Sequence, residues 1–423
     1  MRPALLGMFT GALAGALIVG GVAPARAGGD DPVLAGSVRA HQVALFDVTR
    51  SDGTSFAARI HADGTGLRRL TRPSTTFTSS TLSPDRTMVA LRDYPAVIDV
   101  ADPTGAGRHN VFTSTENQFS YEPVWSPDSR TLLMTADRGS GPELLAVPVD
   151  GGAAVHLAYA GATAASNVAP AGWSPDGSVA LFLGTSSADG TERPAYLKVS
   201  GAGGTLRDLP GWEAYAARPR ARTGIAVVRT SAGADIVQVG ARLAVRRTLM
   251  SVGPAEQVPE LVWSADGRRF AVLHGDPGHQ RVEVLSARGR VVQRIRPRQP
   301  RGGEGLIAVL GLSSGGSIVS WSYANYVGAA FTRAEGLFVR DIARRRTCRK
   351  APPGAHVPWA ALTYAPDDRY AVVERDGGGV RGLLGLGRPS RIERVRWSGE
   401  GTTASNVQFL HLAKATVATR PCR

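Results

Sequence analysis

The chain has 423 residues, 43% of them hydrophobic, 20% charged and only 6% aromatic, with 51 glycines, 27 prolines and two cysteines. That balance suits many short strands and turns packed through small contacts, and no long helical period runs through the sequence. The formal net charge is +14, yet no aromatic side chains interleave with the arginines as a nucleic-acid surface would require, so nucleic acid is set aside as a partner.

In chain order, Arg2 precedes an apolar run over residues 4–23, and Ala25-Arg26-Ala27 has the small-x-small form of a signal peptidase site. This predicts export, with a leader over residues 1–27 cleaved after Ala27 and a short linker over 28–40. A retained anchor is the alternative, because a stretch of about 20 apolar residues can span a bilayer and Gly7, Gly11 and Gly15 have the spacing of packed membrane helices. No cysteine lies near the leader, which excludes lipid modification there.

From residue 41 onward short apolar or alternating runs alternate with Gly, Pro and Asp turns, the pattern of an all-β chain. Residues 43–48, 55–63 and 66–71 form an incomplete first unit. Five copies of one phrase follow: Leu82-Ser83-Pro84-Asp85-Arg86, Trp125-Ser126-Pro127-Asp128-Ser129, Trp173-Ser174-Pro175-Asp176-Gly177, Trp263-Ser264-Ala265-Asp266-Gly267 and Tyr364-Ala365-Pro366-Asp367-Asp368. Pro presets φ, Asp tolerates the next position and Gly accepts the exit, so each phrase predicts a hairpin corner. Asp85 to Asp128 is 43 residues and Asp128 to Asp176 is 48, whereas the next two gaps, 90 and 101, each hold one eroded copy, at Arg218-Pro219-Arg220 and Ser313-Ser314-Gly315. Turns about 45 residues apart are those of a propeller with four-stranded blades. Pairing residues 406–412 or 415–420 with the N-terminal strands would close the ring and leave no open sheet edge. Counting that composite unit gives eight blades; seven is the alternative, with the ends adding an extra strand.

The repeated Trp-Ser-Pro-Asp-Gly turn, then an apolar strand, then a strand ending in an acidic-Gly turn resembles the TolB-like β-propeller family, whose repeat is WD40-like. The resemblance spans residues 41–423 and implies the propeller alone, since the α/β domain that precedes it in TolB has no counterpart before residue 42. It speaks for the fold far more than for function: TolB's partner contacts do not carry over to named positions of this chain, and no cofactor is expected.

The charge is uneven. Residues 281–350 carry fourteen basic side chains against four acids, Glu283, Glu304, Glu335 and Asp341. The candidate binding sector is Arg294, Arg296, Arg298, Arg301, Arg344, Arg345, Arg346, Arg349 and Lys350; it either faces an anionic partner or protects outer strands from edge-to-edge association. In an exported chain Cys348 and Cys422 are candidates for a disulfide, with two unpaired thiols as the alternative.

Catalytic signals are weak. Gly311-Leu312-Ser313-Ser314-Gly315 spells a nucleophile elbow, but a strand follows it where a helix is required. The eight histidines show no metal-binding spacing, and His274 and His279 read as flanks of a solvated loop. The sequence therefore reads as a monomeric, non-enzymatic extracytoplasmic scaffold for an envelope or extracellular protein. Its alternatives are a binder of anionic wall polymer or glycan, and a lyase or hydrolase built from residues of several blades at the funnel.

Overall fold

A computed structural model of the chain describes residues 43–61, 68–94, 97–113, 118–119, 121–137, 142–159, 165–186, 193–254, 256, 258, 260–276, 279–297, 304–327, 330–351, 359–364, 370–375, 379–385, 392–393 and 403–409. The leader, the linker, the Asp367 turn, Arg298, Arg301 and Cys422 lie outside these residues, as does the tail after Phe409.

The described residues form eight antiparallel sheets, seven of four strands and one of five, and their single helical element is the 3-10 turn Ala241–Leu243. The second sheet shows the plan: Phe77–Leu82, Val89–Asp93, Val97–Ala101 and His109–Thr113 pair strictly in chain order. The third (residues 118–159, with five strands), fourth (165–209), fifth (212–252), sixth (260–295), seventh (304–351) and eighth (359–393) follow it. The first sheet differs. Val43–Thr49, Ser55–His61 and Arg68–Arg69 supply three strands, and the place nearest the next sheets' first strands is taken by Thr403–Phe409, which pairs with Val43–Thr49.

The middle strands of each sheet are apolar on both faces, as burial between two neighbouring layers demands. Leu132, Leu133 and Met134 of the third sheet are all at most 1% exposed. The core accordingly lies between sheets. One cluster joins Ala90, Ile98 and Val100 of the second sheet to Trp125, Leu132 and Met134 of the third; another joins Leu133 and Leu144 of the third to Trp173 and Phe182 of the fourth. The same holds for fourth with fifth, fifth with sixth, and sixth with seventh. Strand contacts also run from seventh to eighth, and from the Gly379–Gly385 strand of the eighth to Thr403–Phe409.

The turn joining the first two strands shares one backbone signature in six sheets. In the second, the Ser83 N–H donates to Met88 O and the Arg86 N–H to Ser83 O, both at 2.9 Å; equivalent pairs start at Ser126, Ser174, Arg218, Ser264 and Ser313. The eroded copies therefore occupy the expected places. The serine hydroxyl reaches the Asp carboxylate at 2.6–2.7 Å in four of these turns. The same carboxylate oxygen accepts the N–H two residues on, at 3.0–3.1 Å. The left-handed residue that completes the turn is Arg86, Ser129, Gly177, Gly267 or Gly316. At the fifth sheet, where Ser and Asp are both lost, the left-handed residue moves forward to Arg220 (φ 55°), which after Pro219 makes a type II turn. Arg218 stands in for the missing serine in another way: its guanidinium lies 5.8 Å from the Trp263 ring centroid and donates to Gly267 O at 2.7 Å.

Candidate functional site: an arginine-bearing face

In a meander of four strands the first and third turns share one face. In the third, fourth, sixth and seventh sheets the first turn binds the same sheet's third turn; the Ala287 N–H, for example, donates to Arg268 O at 2.8 Å and Ile342 N–H to Ser317 O at 3.0 Å. On three consecutive sheets those third turns carry arginine: Arg242, Arg246 and Arg247 on the fifth, Arg288 and Arg290 on the sixth, Arg344, Arg345 and Arg346 on the seventh. All eight are exposed.

Two contacts join them into one surface. The Arg247 guanidinium donates to Arg288 O at 3.1 Å, from fifth sheet to sixth. From sixth to seventh, the Gln293 amide, turned with its oxygen toward Arg340, accepts from two guanidinium nitrogens at 2.9 and 3.0 Å. Arg340 in turn donates to Thr347 Oγ1 at 2.9 Å. Burial, and then repulsion from Arg345, pulls the Arg340 pKa below the usual arginine value, which marks positive charge gathered without local neutralisation. Asp341 is spent on the turn itself, accepting the Arg344 N–H at 3.0 Å, with its carboxylate 4.0 Å from the Arg344 guanidinium. Among the described residues no ion pair involves Arg242, Arg288, Arg290 or Arg345.

At the other end of the sixth sheet's outer two strands, away from the turn that carries Arg288 and Arg290, a cavity of about 280 Å³ is lined by Arg281, Glu283, Arg294, Ile295 and Arg296. Glu283 is 8% exposed and faces Arg294 at 3.3 Å. Behind it stands His274, 3% exposed, with Nδ1 2.6 Å from Glu256 and Nε2 3.6 Å from Glu283. The solvated-loop reading of His274 thus fails: it ends the strand Arg269–His274 and is enclosed between two carboxylates, while His279 is exposed. Three guanidinia around one carboxylate leave the cavity positive, which suits carboxylate or phosphate groups.

Of the sequence-derived sector, Arg294 and Arg296 are exposed at the cavity, and Arg344, Arg345, Arg346 and Arg349 are exposed at or beside the seventh sheet's third turn. Lys350 lies on the strand Arg346–Ala351. Sequence reading missed Arg242, Arg246 and Arg247, whose place beside Arg288 follows only from the packing of one sheet on the next. Cys348 is disulfide-bonded. Among the described residues no three of His, Cys, Asp and Glu gather as a metal-ligand set. The worn Ser313-Ser314-Gly315 turn is structural, since the Ser313 hydroxyl accepts the N–H groups of Ser317 and Ile318 at 3.1 Å.

Four-stranded antiparallel sheets, each packed on the next through its apolar faces, make a β-propeller. Its Ser-Pro-Asp turns, at the inner corners of its sheets, resemble those of TolB-like propellers. No family model matches the sequence, and no curated protein matches it. Among solved structures the chain is similar to dipeptidyl peptidase 4 of Porphyromonas gingivalis, at 12% identity and TM-score 0.50, over 78% of this chain and 55% of that one. It is similar to TolB from Acinetobacter baumannii at 16% identity and TM-score 0.36, over 60% of this chain and 63% of the other. An oligogalacturonate lyase in complex with manganese gives 12% identity and TM-score 0.47, over 79% and 83%. The matches thus span just over half of the peptidase and under two thirds of the TolB chain, and at these identities the likeness is one of fold.

Proposed function

We propose that this chain is a non-enzymatic, extracytoplasmic propeller scaffold that binds an acidic protein surface across the arginine-bearing turns of its fifth, sixth and seventh sheets. The reading includes a ring of eight blades, with the pairing of Thr403–Phe409 and Val43–Thr49 as its seal. The observation that carries it is the stitching of those turns by Arg247 with Arg288 and by Arg340 with Gln293. Scattered protective charges would need no such continuity, whereas a partner of opposite potential would exploit it. Export rests on the leader, residues 1–27. The lyase and the peptidase share only the fold and bring no catalytic residue to this chain.

A second reading, a binder of anionic envelope polymer or glycan, is favoured by the positive cavity at Arg281, Arg294 and Arg296, which admits a single acidic group. Affinity capture from envelope extract separates the two. Wild-type chain is expected to retain an acidic protein that elutes as salt rises through about 0.15 M, where screening shortens to about 8 Å. The triple variant Arg344→Ser, Arg345→Ser, Arg346→Ser should lose it while melting normally, because exposed charges add little to folding. Equal retention by both proteins overturns the proposal, and retention of polymer alone selects the second reading.

A further inference from the structure

A second cavity, also of about 280 Å³, lies where the fourth sheet packs on the fifth. Tyr196 and Leu209 of the fourth sheet face the fifth, in one cluster with its Val237, Val239 and Leu243. Side chains alternate along a strand, so Lys198 and Arg207, each two residues from one of that pair, face the fifth sheet as well. They are direct register partners on the strands Arg193–Ser200 and Arg207–Leu209. The fifth sheet contributes Arg242, from its 3-10 turn, and Ser200 and Thr205 add two hydroxyls. Three cations thus line the cavity, and no carboxylate does.

Left empty, this arrangement costs stability. Like charges directly opposite on paired strands repel, and Lys198 is half-buried. None of the three cationic side chains makes an ion pair or hydrogen bond among the described residues. The nearest acids are engaged or turned away. Asp208 follows Arg207 and so points to the other side of its strand, while Asp176 is committed to its turn by the Ser174 and Ser178 hydroxyls. Asp176 also accepts the Arg242 N–H, which fixes the fifth sheet's turn against the fourth. There Arg242 holds a left-handed backbone (φ 56°) that favours glycine. The opposite wall is equally fixed: the Gly201 N–H donates to Ser178 O at 2.9 Å, and the Gly204 N–H to Leu157 O of the third sheet at 3.0 Å. The Ser200 hydroxyl accepts the Ala202 N–H at 3.2 Å, which leaves its own proton to donate.

We propose that this cavity binds a phosphate group, with Lys198, Arg207 and Arg242 surrounding the oxyanion and the Ser200 and Thr205 hydroxyls donating to it. Guanidinium forks match phosphate oxygens, and the lysine adds a point charge. Three cations exceed what a single carboxylate would neutralise, whereas a phosphate monoester carries close to two charges at pH 7. The volume lies near the lower end of the range for small-ligand pockets, about 300–1,000 Å³, which suits free phosphate or a small phosphomonoester. The proposal goes beyond the binding face described above: it shares only Arg242 with that face and requires no protein partner.

The test is thermal melting of the full chain in low-salt buffer with inorganic phosphate, glycerol 3-phosphate, sodium acetate or sodium chloride, all at matched ionic strength. At phosphate about tenfold above its Kd, mass action should raise Tm by roughly 2 °C over chloride. Lys198→Gln removes one member of a repelling pair and Arg242→Gly places the residue the backbone favours, so both variants should fold. Each should lose most of the phosphate shift, and calorimetry should show phosphate affinity weakened at least about tenfold, as expected for one lost charged hydrogen bond. Tighter binding of glycerol 3-phosphate than of phosphate assigns the site to phosphomonoesters, and the reverse order assigns it to free phosphate. A wild-type shift in phosphate no larger than in chloride, an equal shift in acetate, or a full phosphate shift surviving in both variants overturns the proposal.

Discussion

The indole N–H of Trp173, in the fourth sheet, donates to the carbonyl of Val124 in the third, 3.3 Å away and 49 residues earlier. Trp125 makes the same bond to Thr81 at 3.1 Å, and Trp263 to Ala216 at 3.2 Å. The tryptophan that opens three of the repeated phrases is thus a fastener between sheets as well as a packed side chain. Trp173→Phe should cost about 1 kcal/mol, the net worth of one buried hydrogen bond, and Trp173→Ala about 3–5 kcal/mol. Urea unfolding checks both, and equal losses for the two variants would show that the hydrogen bond carries the whole effect.

The C-terminal strand is bound to two sheets at once. It pairs with Val43–Thr49, and its Gln408 side chain accepts the Leu82 N–H at 2.7 Å and donates to Ser80 O at 3.1 Å in the second sheet. Asp47 supports the same junction by accepting from both the backbone and the hydroxyl of Ser80. Truncation after Glu400 should therefore expose a sheet edge and leave buried polar groups unpaired, producing aggregation or a large loss in Tm. Gel filtration with melting checks this; a monodisperse truncated chain melting like the full one would show that the strand does not seal the fold.

Gly267 is left-handed (φ 66°), and a Cβ there would meet Pro219 O at 2.7 Å. Gly267→Ala should consequently lose about 1–3 kcal/mol through backbone strain and displacement of the neighbouring turn. Gly53, also left-handed but with open space around it, should tolerate Ala better. Paired denaturation curves decide whether contact between turns, beyond φ alone, sets the cost.

Two carboxyls act in opposite directions with pH. For Asp176, burial works against the charge, but hydrogen bonds from Ser174, Ser178 and backbone N–H groups outweigh it and hold the pKa at about 2. Its contribution is present above the ordinary carboxyl value of 3.8 and is lost as pH falls toward about 2. Glu260 is the reverse case. Burial raises it to about 7 against the pull of the Leu310 N–H, so it favours the folded state below 4.5 and that advantage disappears as pH rises through about 7. Glu260→Gln keeps an acceptor for Leu310 and should stabilise the chain at pH 8 relative to wild type, with little difference at pH 4. Melting profiles across pH check this, and a variant that loses the same stability at both values would rule out titration as the cause.

The fold was legible because the Ser-Pro-Asp phrase is a local device: hydroxyl, carboxylate and left-handed exit all lie within five residues. Even the copy at Arg218 kept its spacing, although Arg220 and Pro219 had changed the turn type. The composite first sheet was readable as three strands lacking a fourth. The site was only partly legible, because its partners converge through packing. His274 meets Glu256 from the preceding loop and Glu283 from the next strand, a relation no local spacing announces. Arg247 reaches Arg288 across a sheet boundary, 41 positions on along the chain.

The most direct measurement of the proposed binding face is photo-crosslinking in the cell envelope. A photoreactive residue replaces Ala343, among the exposed arginines of the seventh sheet's third turn, or Ser231, exposed in the fifth sheet's second turn on the opposite face. We expect position 343 to capture an acidic protein, with the yield falling steeply as salt rises, and position 231 to capture none. Capture of the same protein from 231 alone, or salt-independent capture from both positions, would contradict binding through the arginine-bearing face.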